Sequence, residues 1–125
     1  NDTSIFFHGR MDAENVKNEI LKYDIALVSL AESIYGAVPS KIFELMQLKI
    51  PILFRGSGEG SSIVKVEKIG LCSDSNDFLA LKENIQIFKN MSLDSYNKLA
   101  DSCFKAHSKK YNLDLEMDKL IHFVN

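Results

Sequence analysis

Residues 24–54 read DIALVSLAESIYGAVPSKIFELMQLKIPILF, and the succession of patterns in this stretch decides the fold class. The run Asp24-Ile25-Ala26-Leu27-Val28-Ser29-Leu30 is nearly all apolar, as a strand covered on both faces must be. A loop over residues 31–38 follows. Pro39 then suits the first turn of a helix, because its fixed φ and missing N–H cost nothing there. Ile42, Phe43, Leu45 and Met46 give that helix a broad buried face. Residues 50–54, Ile-Pro-Ile-Leu-Phe, form a second buried strand. Strand, helix and strand in this order are the repeating unit of a parallel α/β sheet.

The same alternation extends in both directions. On the N-terminal side, Ile5-Phe6-Phe7 is a short strand candidate ended by Gly9. Asp12 follows as an N-cap, with Ala13, Val16 and Ile20 on one helical face. On the C-terminal side, Gly56-Ser57-Gly58-Glu59-Gly60 is a glycine-rich turn. Ser61 or Ser62 caps a helix running to about Lys68, and Gly70-Leu71-Cys72-Ser73 is a last short strand. Ser75, Asn76 and Asp77 supply capping chemistry for a helix whose face is Phe78, Leu81, Ile85 and Phe88. Two amphipathic segments finish the chain: Tyr96, Leu99, Cys103 and Phe104, then Leu113, Met117, Leu120, Ile121 and Val124. The expected architecture is a Rossmann-like parallel sheet flanked by helices. It forms one domain over residues 1–125, with an α/β core over 1–90 and C-terminal helices over 91–125.

Composition limits the function classes. With 125 residues, 46% of them apolar and 26% charged, the chain fits one globular domain. Fifteen Lys plus Arg against 17 Asp plus Glu leave a net charge of -2, which argues against a nucleic-acid partner held by bulk positive charge. Cys72 and Cys103, without a CxxC pair, supply neither a disulfide framework nor a Cys-rich zinc site, and free cysteines suit a reducing compartment. The apolar runs are too short to cross a bilayer. The chain starts at Asn1 without an initiator Met, which points to a fragment or processed product.

In open α/β sheets ligands sit outside the carboxyl ends of the strands. Three segments lie there: residues 8–11, 31–41 and 55–62. The middle one runs Tyr35-Gly36-Ala37-Val38-Pro39-Ser40-Lys41 into a helix that carries Glu44 one turn in. Backbone N–H groups near Ser40 and Lys41 favour a phosphate, and a carboxylate at Glu44 can accept hydrogen bonds from vicinal hydroxyls such as those of a ribose. The competing reading makes Glu44 a solvated helix residue and Lys41 its neighbour at i, i+3. Gly56, Gly58 and Gly60 have the spacing GxGxG rather than the GxGxxG of a dinucleotide loop, so a turn beside the cleft is the simpler reading. Arg55 reaches either a phosphate or a helix carboxylate. His8, at a strand end, faces the cleft or packs; His107, His122 and the alternating Asp114, Glu116 and Asp118 lack metal-ligand spacing.

The run Tyr35-Gly36-Ala37-Val38-Pro39-Ser40-Lys41-Ile42-Phe43-Glu44-Leu45-Met46, followed by Lys49-Ile50-Pro51-Ile52-Leu53-Phe54, resembles the donor-site motif of family 4 glycosyltransferases of the GT-B fold. This group includes bacterial enzymes that build O-antigen and capsular polysaccharides. Phe6-Phe7-His8-Gly9-Arg10 resembles the strand and glycine before the base-binding loop. Gly58-Glu59-Gly60 with Gly70-Leu71 resembles the segment after the motif helix. The similarity spans roughly residues 5–90.

That resemblance implies a partial C-terminal domain of a GT-B glycosyltransferase, which binds a nucleotide-diphospho-sugar as substrate without a further cofactor or metal. Gly36, Ala37, Val38, Ser40, Lys41 and Glu44 would contact the donor, Glu44 at the ribose hydroxyls and the preceding residues at the diphosphate. Gly9, Arg10 and Met11 would contact the base or line the cleft. Family members carry two glutamates separated by seven residues; the earlier one falls at Gly36 here, and Glu32 is the nearest acid. The implied parent transfers a hexosyl group to a glycan or lipid-linked acceptor at the cytoplasmic face of the membrane. Its catalytic residues and its acceptor domain lie elsewhere, and the isolated chain is expected to be inactive. The family sheet has strand order 3-2-1-4-5-6, and this chain supplies its last four strands, so self-association at an uncovered edge is expected. Two other readings stay open: a non-catalytic α/β interaction module, and a dinucleotide-binding oxidoreductase fragment built on residues 56–60.

Overall fold

The computed structural model describes residues 5–30, 38–111 and 121. In chain order the elements are α1 (Ala13–Ile20), β1 (Ala26–Ser29), α2 (Lys41–Gln47), β2 (Ile52–Arg55), α3 (Glu59–Val66), β3 (Gly70–Ser73), α4 (Phe78–Lys89) and α5 (Leu93–Lys109). The strands form a parallel sheet in the order β1-β2-β3, so α2 and α3 are the crossovers of two successive βαβ units. The α/β architecture with a helix-flanked parallel sheet is therefore as the sequence implies.

Register determines which residue faces which layer. Ala26, Ile52 and Gly70 align, as do Val28, Phe54 and Cys72, and these positions share one face. Val28, Ile52 and Phe54 join Ile42, Leu45, Met46, Val64 and Cys103 in the core, beneath α2, α3 and α5. Gly70 has to lack a side chain, because a Cβ there would run into the carbonyl of Ile52 on the neighbouring strand. The opposite face carries Leu27, Leu53 and Leu71, then Ser29, Arg55 and Ser73. Here α4 packs mainly on β3 and less on β2, and Leu53 is 3% but Leu27 57% exposed.

Both helix-to-strand junctions use the same device. Lys49 and Lys68 have φ of 60° and 56°, just past α2 and α3. The next residue, Ile50 or Ile69, donates its N–H five residues back, to Leu45 or Val64, and buries its side chain. The turn thus satisfies an orphan helix carbonyl and aims the chain into the following strand.

Several expectations are corrected. Residues 5–7 form no strand: Ile5, Phe6 and Phe7 lie 61%, 68% and 94% exposed, and the described sheet has three strands rather than four. A strand needs a ladder partner, and residues 5–7 pair with no strand of the described sheet. The third helix begins at Glu59, not at a Ser61 or Ser62 cap, and ends at Val66. Gly58, with φ of 89°, admits the earlier start, and Ser62 Oγ turns back to the Gly58 carbonyl. Helix α4 buries no residue fully, with Phe78 and Ile85 65% and 45% exposed. On α5 the buried stripe runs through Ala100, Cys103 and Ala106, whereas Phe104 is exposed beneath the Lys49 ammonium. The last amphipathic segment lies outside the described residues apart from Ile121.

Candidate functional site

Asp12 caps α1 by accepting from the Asn15 N–H at 2.8 Å, which fixes where the helix starts and leaves Met11 just before it. Helix α2 starts after Pro39, with Ser40 at the N-cap making no side-chain cap bond. Between the two helices runs a groove of about 450 Å³. Met11, Val16 and Ile20 form its apolar wall, and Lys41, Glu44 and Gln47 its polar one. Residues implied separately at the base and at the diphosphate and ribose thus meet in one groove: Met11 from the first group, Lys41 and Glu44 from the second.

Lys41 Nζ donates to Glu44 Oε2 at 2.8 Å, with the two side chains 48% and 58% exposed. The i, i+3 reading of this pair is therefore realised. The remaining oxygen, Oε1, accepts no hydrogen bond from the described residues. Val38 packs half-buried against the core and Ser40 is exposed at the helix entrance. Gly36, Ala37 and Glu32 lie outside the described residues. Gly9, with φ of 69°, turns the chain, and neither it nor the exposed Arg10 lines the groove. His8 does not face the groove either: its Nε2 lies 3.4 Å from Glu19. Glu19 also accepts from Lys22 and from the Tyr23 hydroxyl, and these hydrogen bonds hold its carboxyl below the ordinary range.

A second polar group, not found from sequence alone, lies at the carboxyl ends of the strands. Register places Ser29, Arg55 and Ser73 side by side on the face opposite the core. Arg55 Nη1 donates to Ser29 Oγ at 2.8 Å, and the guanidinium lies 5.1 Å from the centre of the Phe78 ring. No described carboxylate pairs with it, so the expected helix-carboxylate partner is absent among the described residues. Arg55 Nε and Ser73 Oγ are buried without a partner among the described residues. The usable signal was the shared final position of three strands, which becomes readable only once the register is known.

The glycine-rich turn is accounted for by packing. A Cβ on Gly60 would lie 2.8 Å from Phe54 Cζ, so this glycine lets α3 close on the core. Glu59 in the first turn of α3 puts negative charge where a dinucleotide loop would hold phosphate. Burial pushes the Cys72 thiol up and the Cys103 thiol up to about 12, which makes both poor nucleophiles. Among the described residues no group of three His, Cys, Asp or Glu side chains could hold a metal ion. None of the described helices is long and apolar enough to cross a membrane. The chain matches no family model, no curated protein and no solved structure.

Proposed function

We propose that this chain is the donor-binding domain of a GT-B glycosyltransferase, which transfers a sugar from a nucleotide-diphospho-sugar to a glycan or lipid-linked acceptor. The observation that carries the reading is the α1–α2 groove, where Met11 faces Lys41 and Glu44. Glu44 accepts hydrogen bonds from the two ribose hydroxyls, which its free Oε1 and an Oε2 shared with Lys41 can do together. Met11 and Val16 offer the base an apolar wall. Lys41 supplies positive charge near the diphosphate, and as the glycosidic bond to the leaving phosphate breaks, that charge lowers the cost of the developing anion. The parent works at the cytoplasmic face of the membrane, with acceptor and catalytic groups on another domain. Retention at the anomeric carbon follows from the resemblance alone, and Gly36 in place of the earlier glutamate leaves sugar recognition to other groups.

A non-catalytic interaction module is the second reading, favoured by one observation: Lys41 and Glu44 already satisfy each other. The test is calorimetry with UDP and GDP on this chain and on Glu44→Ala, repeated in the intact parent. The donor reading expects binding that weakens about tenfold or more in the variant, the loss of hydrogen bonds to a charged group. If the parent ignores every nucleotide, the donor reading is wrong and the interaction module takes its place.

A further inference from the structure

The row Ser29–Arg55–Ser73 is not used by the donor reading, and it contains a half-buried guanidinium with no carboxylate partner among the described residues. Three contacts orient that group. Its Nη1 is held by Ser29 Oγ at 2.8 Å, its central carbon lies 5.1 Å from the centre of the Phe78 ring, and its stem belongs to the central strand β2. These leave one edge unused, the side-on fork of Nε and Nη2. Beside it, Ser73 is 5% exposed and points its hydroxyl to the same face of the sheet. Among the described residues both Nε and Ser73 Oγ lack a partner although buried, which is costly for polar atoms unless a further group meets them.

We propose that the Arg55 fork and the Ser73 hydroxyl form a seat for a phosphoryl oxyanion, with Ser29 and Phe78 as positioning residues. Nε and Nη2 can only donate, and a guanidinium favours a charged acceptor, so the ligand is an anion with two oxygens spaced to the fork. The serine hydroxyl adds a third donor out of the guanidinium line, which suits the third oxygen of a tetrahedral group better than a planar carboxylate. Nε is covered in this structure, so an anion reaches the fork as the Phe78 ring moves aside. At 65% exposure, and as the first residue of α4, its ring is free to swing as the anion enters. The seat lies across the sheet from the α1–α2 groove, so it stands or falls independently of nucleotide binding there.

The experiment follows the arginine Nε–Hε resonances in ¹⁵N–¹H spectra during titration with sodium phosphate at neutral pH. The chain has arginine only at Arg10 and Arg55, and Arg10→Lys assigns the pair. The expected result is a saturable shift of the Arg55 signal with no saturable shift of Arg10. Ser73→Ala should weaken binding about tenfold, as loss of a hydrogen bond to a charged group does. Arg55→Lys, read through the backbone amide of Gly56, should abolish it. Lys41→Ala should leave it unchanged. Acetate is the comparison: binding as tight as phosphate would overturn the tetrahedral assignment. An Arg55 signal indifferent to both anions would overturn the seat itself and make the two orphan atoms a water-bridged or direct internal pair.

Discussion

Gly60 and Phe54 provide a quantitative test of how α3 is seated. A methyl group added at Gly60 would lie 2.8 Å and 3.1 Å from Phe54 Cζ and Cε2, and 3.3 Å from Ile42 Cδ1. Phe54 and Ile42 are both 0% exposed and cannot retreat into solvent. Overpacking of this kind costs about 1–3 kcal/mol, and replacing a helical glycine returns about 0.5–1 kcal/mol. Gly60→Ala should therefore destabilise the chain by about 1–2 kcal/mol. Phe54→Leu removes Cζ and both ring edges, which takes away the two tightest contacts and leaves the one to Ile42. In that background Gly60→Ala should be neutral or stabilising, so the double-mutant cycle should give a favourable coupling of about 1–2 kcal/mol. The chain has no Trp, so urea unfolding of the four proteins is best followed by helical circular dichroism. An equal cost of Gly60→Ala in both backgrounds would refute the packing argument, as would a stabilising effect in the wild-type chain.

Lys68, at φ 56°, makes only a backbone turn, so Lys68→Gly should raise stability by about 0.5–1 kcal/mol in the same assay; a loss would show that the left-handed junction carries no strain. Burial pushes the Cys103 thiol from its ordinary 9.0 up to about 12. Above pH 9 the unfolded chain therefore loses a proton that the folded one keeps, and stability present below that pH falls as the pH rises. Between about pH 8.5 and 10 the wild type should lose about 1 kcal/mol more stability than Cys103→Ala, and parallel curves would contradict the assignment. Strand β1 pairs only with β2 in the described sheet and shows Leu27 57% exposed, so the chain should associate on concentration and Leu27→Lys should suppress it. Sedimentation showing a monomer at every concentration would refute this.

The core of the fold was readable because its residues carry local signals. The apolar run before Leu30, Pro39 before a helix with four large apolar residues, and Asp12 and Asp77 as caps each report local backbone state, and the side chains of both caps accept the expected bonds. Apart from the start of α3, which Gly58 moves to Glu59, what failed depended on partners distant in sequence. Ile5-Phe6-Phe7 has the composition of a strand, but composition does not supply a ladder partner. Phe104 fits a helical period but falls outside the Ala100–Cys103–Ala106 stripe that packs toward α2 and the core. The Arg55 row was illegible for the same reason, since Ser29, Arg55 and Ser73 become neighbours through register. Lys41 and Glu44 could be singled out because i, i+3 spacing is itself local, whereas their place beside Met11 depends on how α1 and α2 border one groove.

The Lys41–Glu44 ion pair bears on both functional readings, and magnitudes decide between them. Each partner is about half exposed, so the pair is screened and contributes only about 0.2–0.5 kcal/mol. A charge-assisted hydrogen bond from a ligand hydroxyl to Glu44 is worth about 1.5–3 kcal/mol, and two such bonds exceed the ion pair several-fold. The ion pair therefore does not oppose a donor: Lys41 can turn toward phosphate and leave Glu44 to the ribose at little cost. It predicts an asymmetry instead. Glu44→Gln keeps an acceptor oxygen but loses the charge, and should weaken nucleotide binding without lowering stability by more than about 0.5 kcal/mol. Were the residue only half of a structural ion pair, the same substitution would change neither binding nor, measurably, stability, and a large fall in stability would contradict both readings.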